Sequence, residues 1–129
     1  MSRSKKSAKE AGTRFERSVA DYLSRALGDS AIDRQVKTGS RDTGDVRGVF
    51  IGGKAVAVEC KDYAGRSELP QWYREAEAER GNRDASYGVV VWKRKGVSDP
   101  AGQHVSMTLS TFAAICAGGP ENLEETDGR

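Results

Sequence analysis

Apolar residues recur along this chain in two rhythms, and each rhythm predicts a different kind of element. From Gly12 to Leu27, the positions Phe15, Val19, Tyr22, Leu23 and Ala26 repeat every three or four residues. That is the period of one helical face, and Gly28 supplies the stop. Ile32 to Lys37 reads as a short strand, followed by a Gly-, Ser- and Thr-rich loop from Thr38 to Gly44. Val46 to Ile51 is a second strand, Gly52-Gly53 a hairpin turn and Lys54 to Lys61 a third strand. A second helix begins at Ser67 or Pro70, runs through Arg80 and is ended by Gly81-Asn82. Tyr87 to Trp92 (YGVVVW) is continuously apolar, as in a strand buried on both faces. A strand over His104 to Leu109 and a helix over Ser110 to Ala117 complete the body. The order α-β-β-β-α-β-β-α predicts an α/β fold with a central mixed sheet flanked by helices.

At 129 residues the chain is the size of one domain, and the pattern places that domain over residues 12–117. Residues 1–11 read as a flexible basic arm with Arg3, Lys5, Lys6 and Lys9, and residues 118–129 as a flexible acidic tail opened by a Gly-Gly-Pro breaker. No stretch approaches the roughly 20 apolar residues of a membrane span, and Met1 to Lys9 is too polar for a secretory signal. Cys60 and Cys116 are too few for a disulfide framework and form no CxxC pair. A reducing, cytoplasmic setting without a membrane partner is therefore expected. The net charge of +2 hides an asymmetry. From Gly119 onward Arg129 opposes Glu121, Glu124, Glu125 and Asp127, giving −3 and leaving +5 on the rest. That mildly favours a polyanionic partner. The pattern GxxxxGK[ST] is missing, so no nucleotide cofactor is indicated.

The third strand carries the candidate chemistry. Side chains alternate along it, so Val56, Val58 and Cys60 face one way while Ala57, Glu59 and Lys61 face the other. An acid and a base two residues apart also suit an incidental ion pair at a strand end. The preceding strand changes the weighting, because the Gly52-Gly53 turn brings Asp45 to the level of Glu59. Two carboxylates on adjacent strands repel unless a cation lies between them. Mg²⁺ fits, taking a few carboxylate oxygens, a backbone carbonyl such as that of Cys60, and water. The Cys60 thiol is expected in the core. Glu16 lies beside the apolar stripe of the first helix and needs a partner there. That partner is a metal cluster or its water, or else Arg14 or Arg17.

Gly12-Thr-Arg-Phe-Glu16-Arg17 before an apolar helix, then Gly44-Asp45-Val46, then Val58-Glu59-Cys60-Lys61, together resemble the PD-(D/E)XK nuclease superfamily. Within it the chain is most similar to the archaeal and phage Holliday junction resolvases, over roughly Gly12 to Trp92. One departure is Gly44, which stands where the superfamily has a proline.

The resemblance implies a restriction-endonuclease-like fold and hydrolysis of a DNA phosphodiester with Mg²⁺, Mn²⁺ substituting. It implies that Asp45 and Glu59 bind the metal together with the Cys60 carbonyl, and that Glu16 binds it directly or through water. Lys61 would be the catalytic lysine, held protonated by nearby carboxylates. Gln71 would join the active site from the second helix. Arg17, Lys37, Ser40 and Arg41 are expected to contact phosphate, and Lys93, Arg94 and Lys95 to extend the DNA surface. The implied partner is branched or four-way DNA, cut by paired nicks within a homodimer, in the host cytoplasm if the source is a phage. Alternatives are a nicking, repair or restriction-like nuclease of the same fold, or a non-catalytic DNA-binding module. Trp72 and Tyr73 are expected in the core, and His104, the only histidine, in a structural role.

Overall fold

The computed structural model describes residues 3–36 and 44–124. Three helices, α1 (Lys5–Leu27), α2 (Leu69–Arg83) and α3 (Leu109–Cys116), surround six strands. The strands are β1 (Asp33–Arg34), β2 (Val46–Arg47), β3 (Phe50–Ile51), β4 (Lys54–Lys61), β5 (Tyr87–Trp92) and β6 (His104–Ser106). They form a mixed sheet in the order β1-β2-β4-β5-β6, with β3 beside β4. Among the described residues only β4 and β5 pair in parallel, joined by the α2 crossover that a parallel pair requires. The mixed α/β architecture agrees with the hydrophobic pattern, and the order of elements does so except that the expected second strand forms two, β2 and β3.

Alternation along β4 and β5 makes two cores. Val56, Val58, Cys60, Val89 and Val91 pack under α1 and α3 against Phe15, Val19 and Ala114. Val90 faces the opposite way, onto Trp72 and Ala76 of α2, with Tyr73 and Trp92 packed alongside. His104 lies against the Trp92 ring at a centroid distance of 4.2 Å, a structural placement. No helix among the described residues is long and apolar enough to cross a membrane.

Several boundaries differ from those the sequence predicts, each for a local reason. Helix α1 starts at Lys5, inside the expected flexible arm, because the Ser4 side chain caps it by accepting from Ser7 N at 3.1 Å. Helix α2 continues through Gly81-Asn82 and ends at Asp84, whose φ of +57° closes it in the left-handed region. Within the described residues the first strand is Asp33–Arg34, shorter at both ends than the expected one, whose last residue, Lys37, lies outside them. In the expected acidic tail, Pro120–Asn122 forms a 3-10 turn and Glu121 pairs with Lys54 at 2.9 Å, so the described part of the tail is docked. The expected strand Val46 to Ile51 is split at Gly48, where φ is +84° and a methyl would come within 2.7 Å of the Ala31 carbonyl oxygen. The Gly52-Gly53 turn is as predicted, with positive φ at both residues and Ile51 facing Lys54.

Gly48→Ala combines left-handed strain with a backbone collision, and should lower stability by about 2 kcal/mol or more in urea unfolding. A loss under about 0.5 kcal/mol would show that the break between β2 and β3 is not enforced at this residue.

Candidate active site

Glycine 44 decides where Asp45 goes. Its φ is +103°, and a Cβ there would lie 3.2 Å from the Val58 oxygen and 3.3 Å from the Val58 nitrogen. Proline fixes φ near −65°, so it cannot take this place, which explains physically why glycine stands there. The close approach lets Asp45 N donate to Val58 O at 2.7 Å, extending the Val46–Val58 pairing by one residue. The Asp45 side chain then turns along β4, and Oδ2 accepts from Cys60 N at 2.7 Å. Asp45 thus stands beside the Glu59 level, as the hairpin predicts.

On β4 the Lys61 carbonyl accepts from Lys93 N, so that peptide edge faces β5. Successive residues alternate edges, which puts the Cys60 carbonyl on the same side as its N–H, toward Asp45. The Cys60 thiol lies in the core under α1. Burial, then the charges of Asp45 and Glu16, push its pKa well up, so it stays a protonated thiol.

Glu59 and Lys61 share the α2 side of β4. The Glu59 side chain is only 8% exposed, and its Oε1 lies 3.1 Å from Lys61 Nζ. Lys61 also pairs with Glu75 of α2 at 2.7 Å. Burial by itself pulls the ammonium pKa down. The Glu75 hydrogen bond and the Glu59 charge outweigh that pull, and the pKa ends above its ordinary value. Gln71, one turn before Glu75, donates to Glu75 Oε2 at 3.3 Å and reaches Lys61 only through it. Glu59 Oε2 is buried and has no hydrogen-bond partner among the described residues.

Glu16, Asp45, Glu59, Cys60 and Lys61 line one cavity of about 720 Å³, whose wall includes neither Gln71 nor Glu75. Glu16 faces it from α1, but its Oε1 is taken by Arg34 Nε at 2.9 Å, a partner that was not among those expected. Among the described residues no group of three or more His, Cys, Asp or Glu could hold a metal ion. A cation here would rest on Asp45 and Glu59, with the Cys60 carbonyl and water, a ligand set that suits Mg²⁺. The buried, unpaired Glu59 oxygen fits such an ion.

The expected phosphate contacts are less concentrated. Arg17 lies off the cavity wall and pairs with Asp33 at 2.7 Å and Asp21 at 3.3 Å. The hydrogen bond to Asp33 raises the Arg17 pKa, and the same bond lowers that of Asp33. Lys37, Ser40 and Arg41 lie outside the described residues. Lys93, Arg94 and Lys95 emerge at the Lys61 end of the sheet but do not line the cavity. Arg94 is tied to the Gly102 carbonyl at 3.1 Å, and Lys93 Nζ to the Arg94 carbonyl at 2.7 Å. Two residues central to the site were missed in the sequence. Glu75 had a signal, its four-residue spacing from Gln71, whereas Arg34 had none because its partner lies on another element.

Lys61→Met would leave the Glu59 charge buried without its cation, and should cost about 3 kcal/mol in urea unfolding. Glu59→Gln should cost much less, because Glu75 still pairs with Lys61. A group with a raised folded pKa stabilises fully below its unfolded value, near pH 10.4, and loses that contribution only above it. The Lys61→Met deficit should therefore stay flat from about pH 6 to pH 9; a deficit that fades within that range would contradict a firmly protonated Lys61. Comparison with protein-family models, curated proteins and solved structures gives no match to this chain, and the case for a function rests on the residues just described.

Proposed function

We propose that this protein is a divalent-metal-dependent DNA endonuclease with the restriction-endonuclease-like arrangement of the PD-(D/E)XK superfamily, acting on branched DNA and foremost on the four-way junction. The supporting observation is that Glu16, Asp45, Glu59 and Lys61, drawn from α1, the residue before β2, and β4, line a single cavity. Asp45, Glu59 and the Cys60 carbonyl would hold Mg²⁺ or Mn²⁺. When bound, such an ion lowers the pKa of a coordinated water and offsets charge on phosphate oxygens.

The chain's own groups divide the remaining work. The Cys60 N–H fixes the Asp45 carboxylate, and Arg34 holds Glu16 on the α1 wall. Lys61 stays an ammonium between Glu59 and Glu75, so it donates hydrogen bonds to the attacking water or to the phosphate rather than accepting a proton. Gln71 is a positioning residue, acting on Lys61 through Glu75. Junction resolution needs two symmetric cuts, which one site per chain supplies through a two-fold homodimer. The internal pairing of Glu16 with Arg34 and of Lys61 with Glu75 favours one second reading, a DNA-binding module that does not hydrolyse its ligand.

The test is incubation with a synthetic four-way junction, linear duplex, flap and single-stranded DNA, in Mg²⁺ and in EDTA. Paired symmetric nicks in the junction, with Mg²⁺ only, are expected. Asp45→Asn, which keeps an acceptor for Cys60 N, should abolish cutting and retain DNA binding. Lys61→Met, assayed below its melting temperature, should lower the rate about 10²- to 10³-fold. Equal cutting of every duplex would keep the nuclease and remove the junction preference. Tight junction binding without cutting would establish the second reading.

A further inference from the structure

The basic turns at the start of α1 are costly to the helix that carries them. Arg3 precedes the Ser4 cap, Lys5, Lys6 and Lys9 follow, and the first turn holds no acidic residue. Cations therefore crowd the helix end that already bears a partial positive charge. None of the ion pairs among the described residues involves Lys5, Lys6 or Lys9. Arg3 is fixed at the cavity by hydrogen bonds to the Asp62 carbonyl at 3.0 Å and to Asp62 Oδ1 at 3.3 Å.

Gly12 is a second cost. It lies inside α1, where glycine is markedly worse than alanine. Packing does not demand it, because a methyl at Gly12 would meet nothing within 4 Å. Ala8, Gly12 and Glu16 follow at four-residue steps and all line the cavity, so their shared face is smooth up to the acid. Lys9 and Arg66 belong to the same wall, where Arg66 pairs with Glu68 at 3.2 Å in an exposed contact that a phosphate can displace. The buried Glu59 Oε2 on this wall lacks a hydrogen-bond partner among the described residues. As an anion it calls for a cation, not a phosphate, beside it, which leaves phosphate contacts to the basic groups at the start of α1 and to Arg66.

We propose that this face of α1 is the bed for one sugar-phosphate strand of DNA, with Gly12 at the closest approach and Arg3, Lys9 and Arg66 as phosphate contacts. The inference rests on the DNA reading given above and adds which surface takes the strand. Two unfavourable features of the helix then have one explanation. A polyanion relieves the crowded cations, and a backbone passing over position 12 leaves no room for a side chain.

Anisotropy of a fluorescein-labelled four-way junction bound by the full chain, in EDTA and over a range of NaCl, tests this together with thermal melts. Gly12→Ala should raise Tm, since alanine is the better helix former, yet weaken binding several-fold; Gly12→Leu should weaken it about tenfold or more. The combined Arg3→Ala, Lys9→Ala and Arg66→Ala variant should reduce the slope of log K against log salt by about three. A purely structural role for Gly12 would not separate Tm from affinity in this way. Wild-type affinity in both Gly12 variants, or an unchanged salt slope in the triple variant, overturns the inference and leaves the nuclease reading intact. Failure of the wild-type chain to bind any DNA overturns both.

Discussion

Val46 pairs with Val58 across the short β2–β4 ladder, and the position of the whole acidic centre follows from that register. Val46 is fully buried, whereas the neighbouring Arg47 is exposed. A slip by one residue would exchange them. It would forfeit about 1.5–3 kcal/mol of valine burial and force a guanidinium into the core. Ordinary hydrophobic burial thus locks a register whose chemical consequence lies one residue away, where Asp45 meets Val58 O and Cys60 N. Gly44 makes the approach possible, since a side chain there would press on the β4 backbone.

Around that register, charge is distributed so that each acid has a local counterpart. Glu16 has Arg34, Asp45 has a backbone N–H, and Glu59 and Glu75 share Lys61. The arrangement leaves a buried carboxylate oxygen at Glu59 without a hydrogen bond among the described residues. Leaving such an acceptor unsatisfied costs about 1–3 kcal/mol, and more for a charged group. A cation bound beside it would relieve that cost. The same logic applies to Lys61, whose two carboxylate partners hold it in one charge state and one place.

Much of this was legible in the chain because it depends on short-range pattern. Two-residue alternation placed Glu59 and Lys61 on one face of β4, and Gly52-Gly53 brought Asp45 level with them. The boundaries that were missed depend on atoms distant in sequence or on a cap. Gly48 breaks the strand because Ala31 passes behind it, and the Glu121–Lys54 pair docks a tail that composition alone reads as loose. Helix α1 extends over a polar stretch because Ser4 caps it, where no apolar stripe announces a helix. Arg34 escaped for a related reason, since it becomes meaningful only once α1 lies beside it, whereas the Glu75 signal was its four-residue spacing from Gln71.

The central claim is that Asp45 and Glu59 together form a cation site. Calorimetric titration of the wild-type chain with Mn²⁺, compared with Asp45→Asn and Glu59→Gln, tests it without reference to any DNA. Saturable binding in the wild type that is lost in both variants, with their folds retained by circular dichroism, is the predicted result. Undiminished Mn²⁺ binding in the two variants, or none in the wild type, would contradict the account.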